Sequence, residues 1–286
     1  MIGDYTKTVW TESTGITPAR LNNLENKTAE LDTWAKSEPV TIYVNGTSGN
    51  DSNTGLTSGT AVRTISKAVA IAKLTICASV TISIAAGTYA ESIVLDGIVC
   101  SQLNIVKNGT GTVQINGGIS WTDGQKIKLQ SINITGTSTA VFENLEAISI
   151  VGCTINNTTG ADVYIDTANT VNIVNCTLAS GSAYIPSISI RRVGAVYLNG
   201  NIVTGKGCVE AYNTGSLNIY GETWTATAGS QAGIIVAQAT TCMMDNVSGS
   251  LGVIPVSKVI GAVLFKGNNS ITGAADIKTD GGQIFE

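Results

Sequence analysis

A short apolar segment returns every 21 to 25 residues through most of this chain. Each segment places apolar residues at its first and third positions, the pattern of a strand with one face buried. A fixed period in this range is typical of a solenoid, in which every unit packs its apolar face against its neighbours. Because the unit is a strand, the repeat predicts an all-β parallel β-helix. The segments begin at Val80, Leu103, Ile127, Ile148, Val171, Val196, Leu217 and Cys242.

A second strand is predicted about eight residues before each repeated segment, as in residues 163–166 and 188–191. Alternation places one set of side chains of these second strands in the core: Val163, Ile165, Ile188, Ile190, Val209, Ala211, Ile234 and Val236. A turn residue follows each repeated segment, and Gly and Asn tolerate the left-handed backbone that such a corner needs. These turn residues are Gly152, Asn175, Gly200, Gly221 and Asn246.

The chain is predicted to have three parts: residues 1–38, 39–79 and 80–286, the last being the β-helix itself. In the first part, Thr17 and Pro18 form a good helix start, and a helix is expected as far as Trp34. Its heptad positions favour a trimeric coiled coil that attaches the protein to a partner, although a single helix lying on the same β-helix fits the pattern too. The heptad residues are Leu21, Leu24, Thr28, Leu31 and Ala35.

The second part of the chain has the features expected at the entrance of a solenoid. Residues 41–44 are predicted to form a strand, and a loop rich in Gly, Asn and Ser follows. Apolar residues then take helical spacing within residues 63–72. We expect this amphipathic helix to cover the open strand edges at the start of the solenoid. Its apolar face is formed by Ile65, Ala68, Val69 and Ala72.

Composition argues against several classes of function. Charged residues make up 13% of the chain and the net charge is -4, so neither nucleic-acid binding nor attraction to an anionic membrane is expected. The six cysteines form no C-x-x-C pair, and Cys153 and Cys176 take the same position in adjacent repeats, which favours buried free thiols. We see neither a secretory signal nor a run of 18 apolar residues. We therefore expect synthesis in a reducing cytoplasm and no membrane insertion.

The absence of histidine removes Ser-His-Asp triads and His-based metal sites. Nucleotide-binding glycine motifs are also absent, and the sequence predicts no cofactor and no metal. Glycan cleavage by two carboxylates remains open, because it requires only Asp and Glu.

Two stretches carry a family resemblance. Residues 43–46, 49–55 and 63–68 resemble the opening of pectate-lyase-like right-handed β-helices, which is common in bacteriophage tailspikes and tail fibres. Residues 5–10 and 16–25 are similar to the N-termini of tail appendage proteins from phages and prophages of Gram-positive bacteria. The resemblance implies a homotrimer in the virion tail, made in the bacterial cytoplasm and held to a tail or baseplate protein through residues 1–38. It also implies binding to cell-surface polysaccharide, which some such proteins cleave.

The outward positions of the second strands supply the candidate site residues. Stacking neighbouring coils about 4.8 Å apart brings Glu143 and Asp166 together, with Glu210 further along, and their separations bracket those used by glycosidases. Arg191 is expected to pair with a sugar carboxylate. Further candidates for glycan contact are Tyr164, Tyr212, Tyr220 and Trp224.

The face formed by these residues has a second interpretation, because charged columns of this kind also arise from ordinary cross-strand pairing. Three functions therefore stay open: a glycan-binding tail appendage, a polysaccharide hydrolase or lyase of the same fold, and a structural spacer in the virion. Of these three functions, binding without cleavage is favoured.

Overall fold

A computed structural model describes residues 38–136, 140–181, 185–205, 207–226, 232–238 and 240–286. Over these ranges the chain forms a parallel β-solenoid of about eight turns, which confirms the predicted fold class. The predicted attachment helix, with Leu21, Leu24, Thr28, Leu31 and Ala35, lies outside the described residues.

The described helices are one 3-10 turn, Ser58–Thr60, and one α-helix, α1 (Ile65–Lys73). In chain order, the described strands are β1 (Val40–Val44), β2 (Cys77–Tyr89), β3 (Ile93–Val94), β4 (Cys100–Asn116), β5 (Ile119–Thr122), β6 (Lys126–Gln130), β7 (Asn133–Gly136), β8 (Ala140–Val151), β9 (Thr154–Asn157), β10 (Val163–Val174), β11 (Thr177–Ala179), β12 (Ile188–Asn199), β13 (Ile202–Gly205), β14 (Val209–Tyr212), β15 (Ser216–Tyr220), β16 (Thr223–Ala226), β17 (Ile234–Ala237), β18 (Thr241–Asp245), β19 (Ser248–Pro255), β20 (Ser257–Ile260), β21 (Val263–Lys266), β22 (Ser270–Ala274), β23 (Ile277–Thr279) and β24 (Gln283–Phe285).

Each coil contributes to three parallel sheets. Sheet 1 contains β3, β5, the first halves of β8, β10 and β12, and then β14, β17, β20 and β23. Sheet 2 starts at β1 and contains the repeated apolar segments as far as β24. Sheet 3 contains the ends of β2 and β4, followed by β7, β9, β11, β13, β16, β19 and β22. The sequence repeat predicted sheets 1 and 2 and missed sheet 3, whose strands are short and follow a tight corner.

The corners are made by single residues with positive φ. Between sheets 2 and 3 all five predicted turn residues have φ between 53° and 66°, which confirms their role. Between sheets 1 and 2 the corner residues include Asn144 and Asn213, which tolerate this conformation, but also Thr167 and Arg192, for which it is uncommon. Each of these side chains therefore leaves the solenoid at a corner rather than from a sheet face.

At three successive corners between sheets 2 and 3, a backbone N–H group donates to a side chain of the following coil. The Cys153 N–H donates to Cys176 Sγ at 3.4 Å, and the Cys176 N–H donates to Asn201 Oδ1 at 2.8 Å. The Asn201 N–H in turn donates to Glu222 Oε1 at 3.1 Å. All six cysteines are buried free thiols, as predicted. Cys176, Asn201 and Glu222 thus form a ladder of acceptor side chains, which we call the corner ladder.

Helix α1 packs against β1, β2 and β3 at the N-terminal end of the solenoid. The side chain of Thr64 accepts a hydrogen bond from the Lys67 N–H at 3.1 Å and caps the first turn. Glu91 accepts from the N–H groups of Ile65 and Ser66 at 3.0 and 2.8 Å, so its carboxylate lies at the positive end of the helix dipole. The four predicted apolar residues of α1 are all buried against the first coils.

Candidate functional site

The outward face of sheet 1 brings the predicted site residues into two adjacent columns. Asp166 pairs with Glu143 in the preceding coil and with Arg191 in the following one, and Arg191 pairs with Tyr212. In the neighbouring column Tyr164 pairs with Ser189, and Ser189 pairs with Glu210. The pairings derived from the sequence are therefore the ones that the structure shows. They arise because each second strand keeps a constant distance from the repeated segment that follows it.

Arg191 lies between two aromatic rings. Its guanidinium carbon is 5.7 Å from the ring centroid of Tyr164 and 5.8 Å from that of Tyr212. Both distances are within the range of cation–π attraction, which restrains an otherwise mobile side chain. Arg191 is exposed, and its guanidinium therefore remains accessible to solvent between the two tyrosines.

Arg192 binds Asp166 through both carboxylate oxygens. Its Nε donates to Oδ1 at 2.8 Å and its Nη2 donates to Oδ2 at 2.6 Å. This two-point geometry is reached because Arg192 occupies a corner position with φ of 53°, one coil after Asp166. Sequence reasoning missed Arg192, because only the outward positions of the strands were aligned. The available signal was an arginine at a corner where other coils have Asn144 and Asn213.

Glu210 is held by two hydroxyl groups. The Ser189 hydroxyl donates to Glu210 Oε2 at 3.2 Å, and the Tyr212 hydroxyl also forms a hydrogen bond with this carboxylate. Burial raises the pKa of Tyr212 to about 12, and the neighbouring charge of Glu210 adds to the rise. Tyr212 is consequently a neutral donor at any physiological pH.

Arg191, Arg192, Asp166 and Tyr212 border an open cleft of about 410 Å³, which we call the Arg191 cleft. Two guanidinium groups face a single carboxylate in its lining, which is otherwise uncharged. The cleft is therefore locally positive in a chain whose net charge is -4. Glu143, Tyr164 and Glu210 lie on the same sheet face but outside this lining, and Tyr164 is connected to the cleft through its contact with Arg191. The cleft is lined by Asp166, Arg191, Arg192, Tyr212, Asn213 and Gln238.

The prediction that Trp224 contacts glycan needs correction. Trp224, a glycan-binding candidate on the assumption that it is exposed, is fully buried on the inward face of sheet 3, where it pairs with Val203. Trp121 is the third residue of β5 and is also fully buried. Tyr220 is exposed, but it ends β15 in sheet 2 and does not line the Arg191 cleft. The structure thus groups Tyr164, Arg191 and Tyr212 and separates Tyr220 and Trp224 from them.

Sequence reasoning also missed two buried carboxyl groups. Asp162 accepts a hydrogen bond from the Asn157 N–H at 2.7 Å, and Glu222 accepts two from Asn201. Within the described residues, no hydrogen bond of good geometry reaches Asp162 Oδ2 or Glu222 Oε2. The Ser187 hydroxyl and the Trp224 indole N–H nevertheless lie close enough to lower the pKa of Asp162 and of Glu222, respectively. Burial raises the pKa of each carboxyl group to about 7, although the hydrogen bonds that each accepts oppose the rise.

Within the described ranges, no group of three or more Cys, Asp or Glu side chains is arranged to hold a metal ion. In the same part of the chain, no helix has the length and apolar character needed to cross a membrane.

No family model and no curated protein matches this chain. Among solved structures, the chain is similar to GH136 lacto-N-biosidase from Eubacterium ramulus, determined as a selenomethionine derivative. The identity is 8%, the TM-score is 0.31, and the match covers 93% of this chain and 70% of the other. A similarity this low gives no basis for an argument about activity.

Proposed function

We propose that this protein is a glycan-binding phage or prophage tail appendage that adheres to the bacterial surface through the Arg191 cleft. The observation that carries the proposal is the exposed guanidinium of Arg191 between the rings of Tyr164 and Tyr212. Aromatic faces and planar hydrogen-bond donors in an open cleft fit a sugar ring with its hydroxyl groups. The tail location is supported by the resemblance of residues 5–10 and 16–25 to the N-termini of tail appendage proteins. Residues 43–46, 49–55 and 63–68 add the resemblance to a β-helix opening that is common in tailspikes and tail fibres.

The contacts of the carboxylates favour binding over cleavage. Both oxygens of Asp166 accept hydrogen bonds from Arg192, so this carboxylate is not free to attack a sugar or to accept a proton. Glu210 is likewise bonded to Ser189 and Tyr212. A glycosidase needs one free carboxylate and one protonated carboxyl group on opposite sides of the scissile bond.

A polysaccharide depolymerase of the same fold is the second candidate. The observation in its favour is the direct pairing of Glu143 with Asp166, which places two carboxylates on adjacent coils about 4.8 Å apart at the backbone. This candidate predicts release of reducing ends from a host polymer and loss of that release in Asp166→Asn.

Assembly as a homotrimer through residues 1–38 forms part of the proposal. Its support is the heptad pattern from Leu21 to Ala35, since two heptads are too short to form a stable coiled coil without partner helices. Three copies would present three clefts to one surface, so that weak contacts add up to tight adhesion.

The proposal is tested by retention of the protein on polysaccharides purified from a panel of Gram-positive bacteria. We expect wild type to be retained and the double variant Tyr164→Ala, Tyr212→Ala to be lost from the same polymer. The matched control is Tyr197→Ala, which removes an exposed tyrosine from sheet 2 and leaves the cleft intact. Equal retention of both variants would refute the site, and no retention on any polymer would favour the spacer function.

A further inference from the structure

The Arg191 cleft contains one arginine whose charge is not neutralised within the protein. Arg192 and Asp166 form a closed pair, with both carboxylate oxygens occupied. In the part of the chain that the structure describes, no carboxylate lies within ion-pair distance of Arg191, and its guanidinium donates no hydrogen bond. All five N–H donors of Arg191 are therefore available to a ligand.

The two tyrosine rings hold Arg191 in place without using its donors. A cation–π contact attracts the guanidinium through its charge and uses none of its N–H groups as hydrogen-bond donors to an oxygen. An arginine fixed in this way loses less conformational freedom on binding than a free surface arginine. A planar fork of donors matches a carboxylate or a phosphate better than it matches a neutral hydroxyl group.

We propose that the Arg191 cleft binds an anionic sugar unit, whose carboxylate or phosphate oxygens accept hydrogen bonds from Arg191. This inference rests on the proposed function, because it specifies the ligand of the same cleft. Arg192 neutralises the Asp166 carboxylate, which would otherwise repel such an anionic ligand.

The test measures the arginine side chains directly, by following the ¹⁵N–¹H signals of Arg191 and Arg192 Nε in NMR titrations of the whole protein. The probes are glucuronate and galacturonate for the carboxylate, glucose 6-phosphate for the phosphate, and glucose and galactose as uncharged counterparts. We expect saturable shifts of the Arg191 signal with at least one anionic probe. The uncharged counterpart of that probe should bind at least about tenfold more weakly.

Three variants change the charge of the cleft in known directions. Arg191→Gln removes the binding group, and we expect about 10- to 100-fold weaker binding of the anionic probe. Asp166→Asn removes the repelling carboxylate and frees Arg192, so binding should tighten about two- to fivefold. Arg192→Gln exposes the Asp166 carboxylate, and binding should weaken by a similar factor. Arg63→Gln, which removes an exposed arginine from the entry loop, is the matched control and should bind as wild type does.

The outcomes separate this inference from the proposed function. Equal shifts with glucose or galactose and with the anionic probes would overturn the anionic ligand and keep a glycan site in the cleft. If none of the five probes shifts the Arg191 signal, the proposal of an anionic ligand is wrong. The polysaccharide retention assay then tests by itself whether the cleft binds glycan. Weaker rather than tighter binding in Asp166→Asn would contradict the role given to the Arg192–Asp166 pair.

Discussion

Glu222 provides a sharp test of how the core of this solenoid depends on protonation. Its carboxyl group is fully buried, and burial raises its pKa from 4.5 to about 7. Between these two values the folded protein keeps a proton that the unfolded chain has lost, so the free energy of unfolding falls as the pH rises. The contribution of protonated Glu222 to the free energy of unfolding is fully present below pH 4.5 and is lost by the time the pH passes about 7. At 1.36 kcal/mol per unit, the loss is about 3 kcal/mol.

Glu222→Gln removes this pH dependence while keeping the hydrogen bonds that the side chain accepts. The amide oxygen still accepts from Asn201 N–H and Nδ2 in the corner ladder, and the amide group stays neutral at every pH. We expect wild type and variant to unfold at similar temperatures at pH 5. At pH 8 the variant should unfold roughly 5 °C higher, since about 3 kcal/mol is divided by the unfolding entropy of a chain of this size.

The assay is thermal unfolding followed by circular dichroism at several pH values, with Glu146→Gln as the matched control. Glu146 is an exposed carboxylate that pairs with Lys126 at 3.0 Å, and such pairs contribute no more than about 1 kcal/mol. The difference between Glu222→Gln and wild type must grow from pH 5 to pH 8. A difference that stays constant over this range would refute the reasoning, because the carboxyl group would then titrate equally in the folded and unfolded states.

The other predictions concern packing, capping and assembly. Trp224→Ala should lower the free energy of unfolding, measured by urea denaturation, by about 3 to 5 kcal/mol. Tyr220→Ala, on the exposed face, should lower it by less than about 1 kcal/mol. Equal losses of stability in the two variants would contradict the burial of Trp224. Glu91→Ala should destabilise α1 by about 1 to 2 kcal/mol and speed amide hydrogen exchange there, since it removes the acceptors of two helix N–H groups; unchanged exchange in α1 would count against the cap. Native mass should show a trimer for the full chain and a weaker one for a chain that begins at Glu38, while a stable monomer in both would rule out the trimer.

The sequence was sufficient to predict the columns of sheet 1. The constant spacing to the next repeated segment aligns Asp166 with Glu143 and with Arg191, because a parallel β-helix stacks equivalent positions in register. The burial of Trp224 was also encoded, although it was missed. Three residues after the corner residue, Ile155, Leu178 and Val203 are all apolar and inward, and Trp224 occupies the same place.

Other features could not be derived from the repeat. The pairing of Arg192 with Asp166 depends on a left-handed backbone at a corner, which is uncommon for arginine and is not indicated by alternation. The burial of Glu222 conflicts with the usual surface location of glutamate and becomes intelligible only through its bonds to Asn201. In both cases the structure supplies a partner from another coil, more than 20 residues away in the chain.

The corner ladder constrains how a solenoid of this kind can change its length during evolution. If a coil is gained or lost as a unit, the backbone N–H of Cys153, Cys176 or Asn201 needs an acceptor in its new neighbour. Loss of the coil that carries Asn201 would place the Cys176 N–H opposite Glu222, which can still accept a hydrogen bond. Loss of the coil that carries Glu222 would place the Asn201 N–H opposite Val247, which cannot. Deletions of different single coils therefore differ in how much they destabilise the fold. Hydrogen bonding at this one corner of the solenoid thus limits which coils can be removed or duplicated.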